Sequence, residues 1–226
     1  MNPFQNFETL SFDCYGTLVD WETGIRTALT PWAERNQLAL DEVITRFGAI
    51  ESQVQRESPS QLYPDVLSEV LRRMGNTTDE EAGRFGASVG SWPPFSDSVD
   101  ALKKLKTRYK LAILSNVDRA SFARSSALLG VEFDLVVTAE DVGSYKPDPR
   151  NFEALFERLN LGDRSHLLHV AQSLYHDHEP ASALGLQTVW INRPSSGATP
   201  PPGTAVRPTW TFPSLAAFTE AVFNDG

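Results

Sequence analysis

The 226-residue chain has one cysteine, Cys14, so it can close no internal disulfide, and this sparing use fits a reducing, cytoplasmic setting. Positive charge is also scarce. The 20 Lys and Arg against 29 Asp and Glu leave a net charge of −9, the wrong sign for a nucleic-acid partner, whose phosphates require a basic surface. No apolar run approaches the roughly 18 residues needed to span a membrane. The opening Met1-Asn2-Pro3-Phe4 lacks the charged and apolar regions of a secretory signal. There is no glycine-rich phosphate loop to support nucleotide binding, and no internal repeat. The composition, 41% hydrophobic and 22% charged, is that of a folded protein able to bury a substantial core.

One absence is local. In Ser11-Phe12-Asp13-Cys14-Tyr15-Gly16-Thr17-Leu18-Val19-Asp20 an apolar lead-in ends on Asp13 and a tight turn follows. Such a turn presents a carboxylate at the carboxyl end of a strand, where open α/β sheets keep their chemistry. A carboxylate so placed can form a covalent ester with its substrate. Two residues on, where an acid or metal ligand could stand, the chain has Tyr15. Cys14 neighbours Asp13, but strand alternation turns it to the other side, as a small core residue.

Further apolar runs at 111–114, 135–138, 167–170 and 188–191 read as strands, separated by helical stretches at 121–129, 151–159 and 180–184, with a closing helix at 215–223. That alternation predicts an α/β fold, a Rossmann-type parallel sheet with helices on both faces. Residues 21–93 carry helical periodicity and no strand. They are expected to form an inserted helical cap domain, leaving 1–20 and 94–226 as the core domain. Within the cap, Val43, Ile44, Phe47, Ile50 and Val54 form one apolar stripe, with Arg46 at its edge. The proline-rich stretch 195–203 reads as a connector.

The strand at 111–114 stops at Ser115-Asn116, and a later loop reads Gly143-Ser144-Tyr145-Lys146-Pro147-Asp148-Pro149. Pro147 bars Lys146 from helical geometry, so Lys146 is held in a fixed loop. The strand at 167–170 runs into Gln172-Ser173-Leu174-Tyr175-His176-Asp177-His178. Adjacent histidines at such a turn diverge and have no partner spaced for tetrahedral zinc, so both read as surface or supporting groups.

These four motifs, in this order, resemble the haloacid dehalogenase superfamily, and Asp13-Cys14-Tyr15-Gly16-Thr17-Leu18 is similar to the members that displace halide from carbon. The resemblance implies that Asp13 is the nucleophile and that Lys146, Thr17 and the backbone amides after Asp13 stabilise developing charge. Ser115 would receive the substrate's anionic group, with Asn116 on the leaving atom or carboxylate, and Asp177 would pair with Lys146 or orient water. Arg46, followed by Ile50 and Glu51, matches the spacing of the halide-binding cap arginine, although a solvated arginine gives the same pattern. Trp21 would wall the apolar end of the substrate pocket, with Tyr15 beside it, unless it simply packs the hinge.

Gln172, a candidate substrate contact, departs from the phosphatase pattern, which places an acid there, and together with Leu174 and Phe152 it departs from the dehalogenase pattern. The activity implied is metal-independent hydrolysis of a small-molecule 2-haloacid or similar small carboxylate, with no cofactor and with a homodimer as a plausible assembly. Three alternatives stay open: opening of a strained-ring amino acid, a magnesium-dependent phosphatase, and an idle binding protein.

Overall fold

The computed structural model describes residues 2–193 and 206–224. The connector expected at 195–203 lies outside the described residues. Strand β1, Thr9–Phe12, is followed by helices α1, Trp21–Arg35, α2, Leu40–Glu57, α3, Tyr63–Met74, and α4, Asp79–Ala87. The chain then runs through α5, Ser98–Lys106, β2, Lys110–Ser115, α6, Arg119–Leu129, and β3, Leu135–Thr138. Next come α7, Ala139–Val142, α8, Arg150–Leu159, β4, Leu167–Ala171, α9, Glu179–Ala183, and β5, Gln187–Ile191. Strand β6, Trp210–Phe212, and helix α10, Leu215–Phe223, complete the described chain.

The six strands form one parallel sheet in the order β3-β2-β1-β4-β5-β6. Every residue of β1 and β4 is buried, as befits parallel strands covered on both faces. The strand order reverses at β1, where Phe12 lies between Ile113 of β2 and Val170 of β4. A crevice outside the carboxyl ends of the strands opens at such a switch point, and Asp13 follows β1 directly into it. The fold is therefore the α/β, Rossmann-like arrangement that the alternating pattern predicts.

Between β1 and β2 the described chain forms helices and no strand. Asp20 caps α1 by accepting from the Thr23 amide at 3.1 Å, and Thr78 and Glu81 form a reciprocal capping box on α4. The apolar stripe of α2 buries Val43, Phe47 and Val54, and α3 buries Val66, Leu67, Val70 and Leu71. Gly24 is required where α1 docks, because a Cβ there would lie 2.2 Å from Cγ of Trp92. Entry to and exit from this insertion are tied together. The Asp20 amide donates to Pro93 O at 2.8 Å, and Ser98 Oγ donates to Leu18 O at 2.7 Å. Arg193 adds a clamp, donating through Nη2 to Thr17 O and to Asp97 Oδ1, both at 2.9 Å.

Two elements escape the periodicity argument. Strand β6 has three residues, with only Trp210 and Phe212 turned toward the core, too short to establish a period. After β4 the chain makes a π-helical turn, Leu174–His178, instead of running directly into α9. The extra residue per turn swings His176 and Asp177 to the mouth of the sheet, where both line one cavity.

Candidate active site

Four of the side chains singled out from the sequence meet at the carboxyl end of β1. The Asp13 carboxylate accepts from Thr17 Oγ1 at 2.7 Å on Oδ2 and from Lys146 Nζ at 2.9 Å on Oδ1. Thr17 Oγ1 itself accepts from the Gln172 amide at 2.9 Å, which leaves its own proton for Asp13. Lys146 Nζ also donates to Leu114 O at 2.8 Å and to Asp177 Oδ1 at 2.6 Å. Three protons therefore meet three acceptors, and the ammonium is saturated although its side chain is only 1% exposed. Behind Asp177, His169 Nε2 lies 3.0 Å from Oδ1 and His169 Nδ1 lies 2.9 Å from Ser11 Oγ. Asp177 Oδ1 thus receives two partners, while Oδ2 is buried without one.

The nucleophile turn depends on Gly16. Its φ is +99°, in the left-handed region, and a Cβ would press at 3.2 Å on the Trp21 indole.

Burial in this cluster sets its electrostatics. Desolvation pushes the Asp13 carboxyl up, with the Asp177 charge adding to it and Lys146 and Thr17 pulling it back. Asp177 ends well below the usual carboxylate range, because Lys146 and His169 outweigh its desolvation. For Lys146 the order reverses: burial disfavours the charge, but the two carboxylates hold its pKa above the usual lysine value. Burial raises the Cys14 thiol well above its ordinary value, and the side chain is fully enclosed in the core.

A cavity of about 170 Å³ opens over this cluster. Its floor is Asp13, Ser115, Asn116, Lys146 and Asp177; Tyr15, Trp21, Gln172, Ser173 and His176 make the walls. Glu51, Ser52 and Gln55 of α2 and Tyr63 of α3 complete its lining. Of the predicted residues, Thr17 stands behind Asp13 and touches the cavity only through it.

Several residues sit differently from their expected roles. Arg46 is exposed and does not line the cavity. It precedes the lining residue Gln55 by nine positions, which at about 100° per residue places it on the opposite face of α2. Asn116 lines the cavity, but its amide is engaged with Lys146: Nδ2 donates to Lys146 O at 3.0 Å, and the Lys146 amide donates to Oδ1 at 2.7 Å. The Tyr15 hydroxyl is 2.8 Å from Ser125 Oγ, and burial raises it well above the usual phenol range, so it does not replace the missing acid. Ser115 Oγ is buried at the floor with no hydrogen-bond partner.

Of the two histidines read as surface or supporting groups, neither is exposed. His178 is buried, with Nδ1 3.0 Å from Thr188 Oγ1 and Nε2 3.0 Å from Ala171 O. His176 lines the cavity, and desolvation lowers it to about 4, so its imidazole is neutral at pH 7.

Glu51 is the main residue that sequence reasoning did not assign a role. A signal was available, because four residues after Phe47 and three before Val54 a carboxylate occupies a core-facing position on an amphipathic helix. Its Oε1 accepts from Tyr63 Oη at 2.6 Å. Desolvation raises its pKa to about 7 against the Tyr63 hydrogen bond.

The donor set does not suit a divalent cation. Such ions favour several carboxylate and carbonyl oxygens. Here Asp13 and Asp177 are both engaged by one ammonium, and a third acid is replaced by Gln172. Among the described residues no three His, Cys, Asp or Glu side chains are grouped to hold a metal.

A parallel sheet with a carboxylate-ammonium-carboxylate cluster at its switch point is a Rossmann-like α/β protein with a nucleophile at its mouth, and similarity to known proteins supplies the family. The model of the haloacid dehalogenase-like hydrolases matches residues 7–171, and the chain belongs to that family. It is 25% identical over 206 residues to an (S)-2-haloacid dehalogenase of Pseudomonas putida, covering 84% of this chain and 86% of that protein. It is 32% identical over 186 residues to the pyrimidine 5'-nucleotidase YjjG of Escherichia coli, covering 81% and 74%. A solved defluorinating L-2-haloacid dehalogenase superposes with a TM-score of 0.78 at 25% identity, over 98% of each chain.

Proposed function

We propose that the protein is a hydrolytic dehalogenase of short 2-haloalkanoic acids, working without a metal through an aspartyl ester. The observation that carries this reading is the Asp13–Lys146 pair at the cavity floor, beside a Tyr15 whose hydroxyl is committed to Ser125. Halide departs without a proton, so an acid two residues after the nucleophile is not required. A phosphate ester expels a poorer leaving group, and losing acid assistance typically costs about 10²–10⁴-fold. The similarity to dehalogenases over most of the chain supports the same choice.

In this mechanism residues 21–93 act as a cap over the core formed by 1–20 and 94–226. The substrate carboxylate docks at Ser115 Oγ, which has no other partner. The Asp13 carboxylate, aimed by Thr17 and Lys146, attacks C2 and halide leaves on the far side. Water then attacks the Asp13 carbonyl and the ester bond to that carbonyl breaks; one water proton passes to the C2 oxygen and the other to solvent, and the 2-hydroxy acid is released with inverted configuration.

The test is chloride release from L-2-chloropropionate in EDTA by the wild type and by Asp13→Asn. Release by the wild type alone is the expected result. A wild type that releases no chloride would overturn the reading.

A further inference from the structure

The cavity has an acid, but it comes from the insertion. Glu51 reaches the cavity from α2, whereas Asp13 reaches it from the carboxyl end of β1. Its Oε1 is held by Tyr63 Oη at 2.6 Å and approached by Gln55 Nε2 at 3.4 Å. No hydrogen bond reaches Oε2 and no Lys or Arg pairs with the carboxyl among the described residues. The Tyr63 phenol holds it and the Tyr145 phenol lies close enough to feel its charge, while Tyr15, Asp13, Lys146, His176 and Asp177 line the same cavity. Phenols cannot neutralise a carboxylate. With Tyr63 fixing Oε1 as an acceptor, the proton of a neutral Glu51 sits on Oε2.

We propose that Glu51 is a leaving-group acid, and that the site therefore also hydrolyses small 2-substituted carboxylates whose leaving atom is oxygen, oxirane-2-carboxylates being the class this chemistry selects. This extends the displacement reading and rests on it. Oxygen is favoured over nitrogen on chemical grounds. A strained ring amine enters already protonated and departs as a neutral amine, whereas a departing alkoxide must gain a proton. The burial that raises Glu51 to about 7 keeps a large share of that proton available in neutral solution.

The step balances. An Asp13 oxygen bonds to C2 as the C2–O bond of the ring breaks, and the ring oxygen, still on C3, takes the Glu51 proton. Water then adds to the Asp13 carbonyl carbon and the ester C–O bond to that carbonyl breaks. One water proton ends on the C2 oxygen and the other returns to Glu51, giving a 2,3-dihydroxy acid.

The experiment follows dihydroxy-acid formation from oxirane-2-carboxylate and chloride release from L-2-chloropropionate, in the wild type, Asp13→Asn and Glu51→Gln. Glutamine keeps the Tyr63 contact and can donate a hydrogen bond, but it has no proton to transfer, and circular dichroism checks that it folds. The expected result is oxirane opening that needs Asp13, falls as pH rises through about 7 and drops about 10²–10⁴-fold in Glu51→Gln. Chloride leaves without a proton, so chloride release should drop by a clearly smaller factor than oxirane opening in the same variant. Chloride release without oxirane opening overturns the proposal alone, as does opening that Glu51→Gln leaves intact. Failure of the wild type on both substrates overturns the displacement reading and this extension together.

Discussion

Asn116 and Lys146 exchange two hydrogen bonds between side-chain amide and backbone, Asn116 Nδ2 to Lys146 O at 3.0 Å and Lys146 N to Asn116 Oδ1 at 2.7 Å. The first residue past β2 thereby fixes the loop between α7 and α8, and with it the ammonium that holds Asp13. Asn116→Ala should lower kcat by about tenfold or more through misplacement of Lys146, with KM little changed. Steady-state chloride release separates the two constants. A raised KM at constant kcat would instead make Asn116 a direct contact of the substrate.

Lys146 holds two buried carboxylates, so removing it leaves both without a counter-charge. Lys146→Met should cost about 3–5 kcal/mol at pH 7, read by urea denaturation. Without the ammonium, the folded-state pKa of Asp13 rises further above its unfolded value and that of Asp177 climbs from its depressed position. The deficit should then shrink as pH falls toward 5, because the folded state takes up protons that the unfolded state does not. A deficit independent of pH would show that the lysine stem, not its charge, carries the stability.

The parts of this site that the sequence made legible are those fixed by strand ends. Asp13, Ser115 and Gln172 each follow or end an apolar run, and a parallel sheet gathers such positions at one edge. Lys146 was legible through Pro147, which restricts the residue before it. The helical insertion was harder to read. Which face of α2 meets the floor depends on how that helix docks, and Arg46 and Glu51 differ by only five residues along it. The spacing match favoured Arg46, while the interrupted apolar stripe pointed at Glu51. His176 was hidden for another reason, since the π-helical turn that brings it to the cavity has no pattern in so short a segment.

Arg46 supplies a direct check of that docking. It is exposed on the face of α2 away from the cavity, so Arg46→Ala should leave kcat/KM for chloride release within about twofold and stability within ±0.5 kcal/mol. A loss of a hundredfold would mean that α2 rotates to bring this guanidinium to the halide.

Beneath the site, His169 bridges Ser11 and Asp177, with contacts of 2.9 and 3.0 Å. Its hydrogen bond to Asp177 is one of the interactions that hold this acid low. His169→Leu should raise the folded-state pKa of Asp177, so the variant should be less stable than the wild type at neutral pH, with the deficit narrowing as pH falls through the carboxylate range, read by urea denaturation. A deficit that does not change with pH would reduce His169 to packing.

The pH dependence of stability tests the protonation of Glu51 without any substrate. Its folded-state pKa, about 7, lies above its ordinary value of 4.5, so the folded protein keeps a proton that the unfolded chain has already lost. The associated stability is fully present below about pH 4.5 and is lost as pH rises to about 7, by at most about 1.4 kcal/mol per pH unit. Glu51→Gln lacks this loss and should gain about 2 kcal/mol on the wild type between pH 5 and pH 8. His176 and His178 act in the opposite direction. Both are lowered to about 4, so their stability is lost as pH falls from about 6.5, equally in both proteins. They cancel in the difference between wild type and variant, which urea titrations at pH 5, 6, 7 and 8 would isolate. A difference that stays flat across those four values would mean that Glu51 is ionised throughout and is not the acid of the cavity.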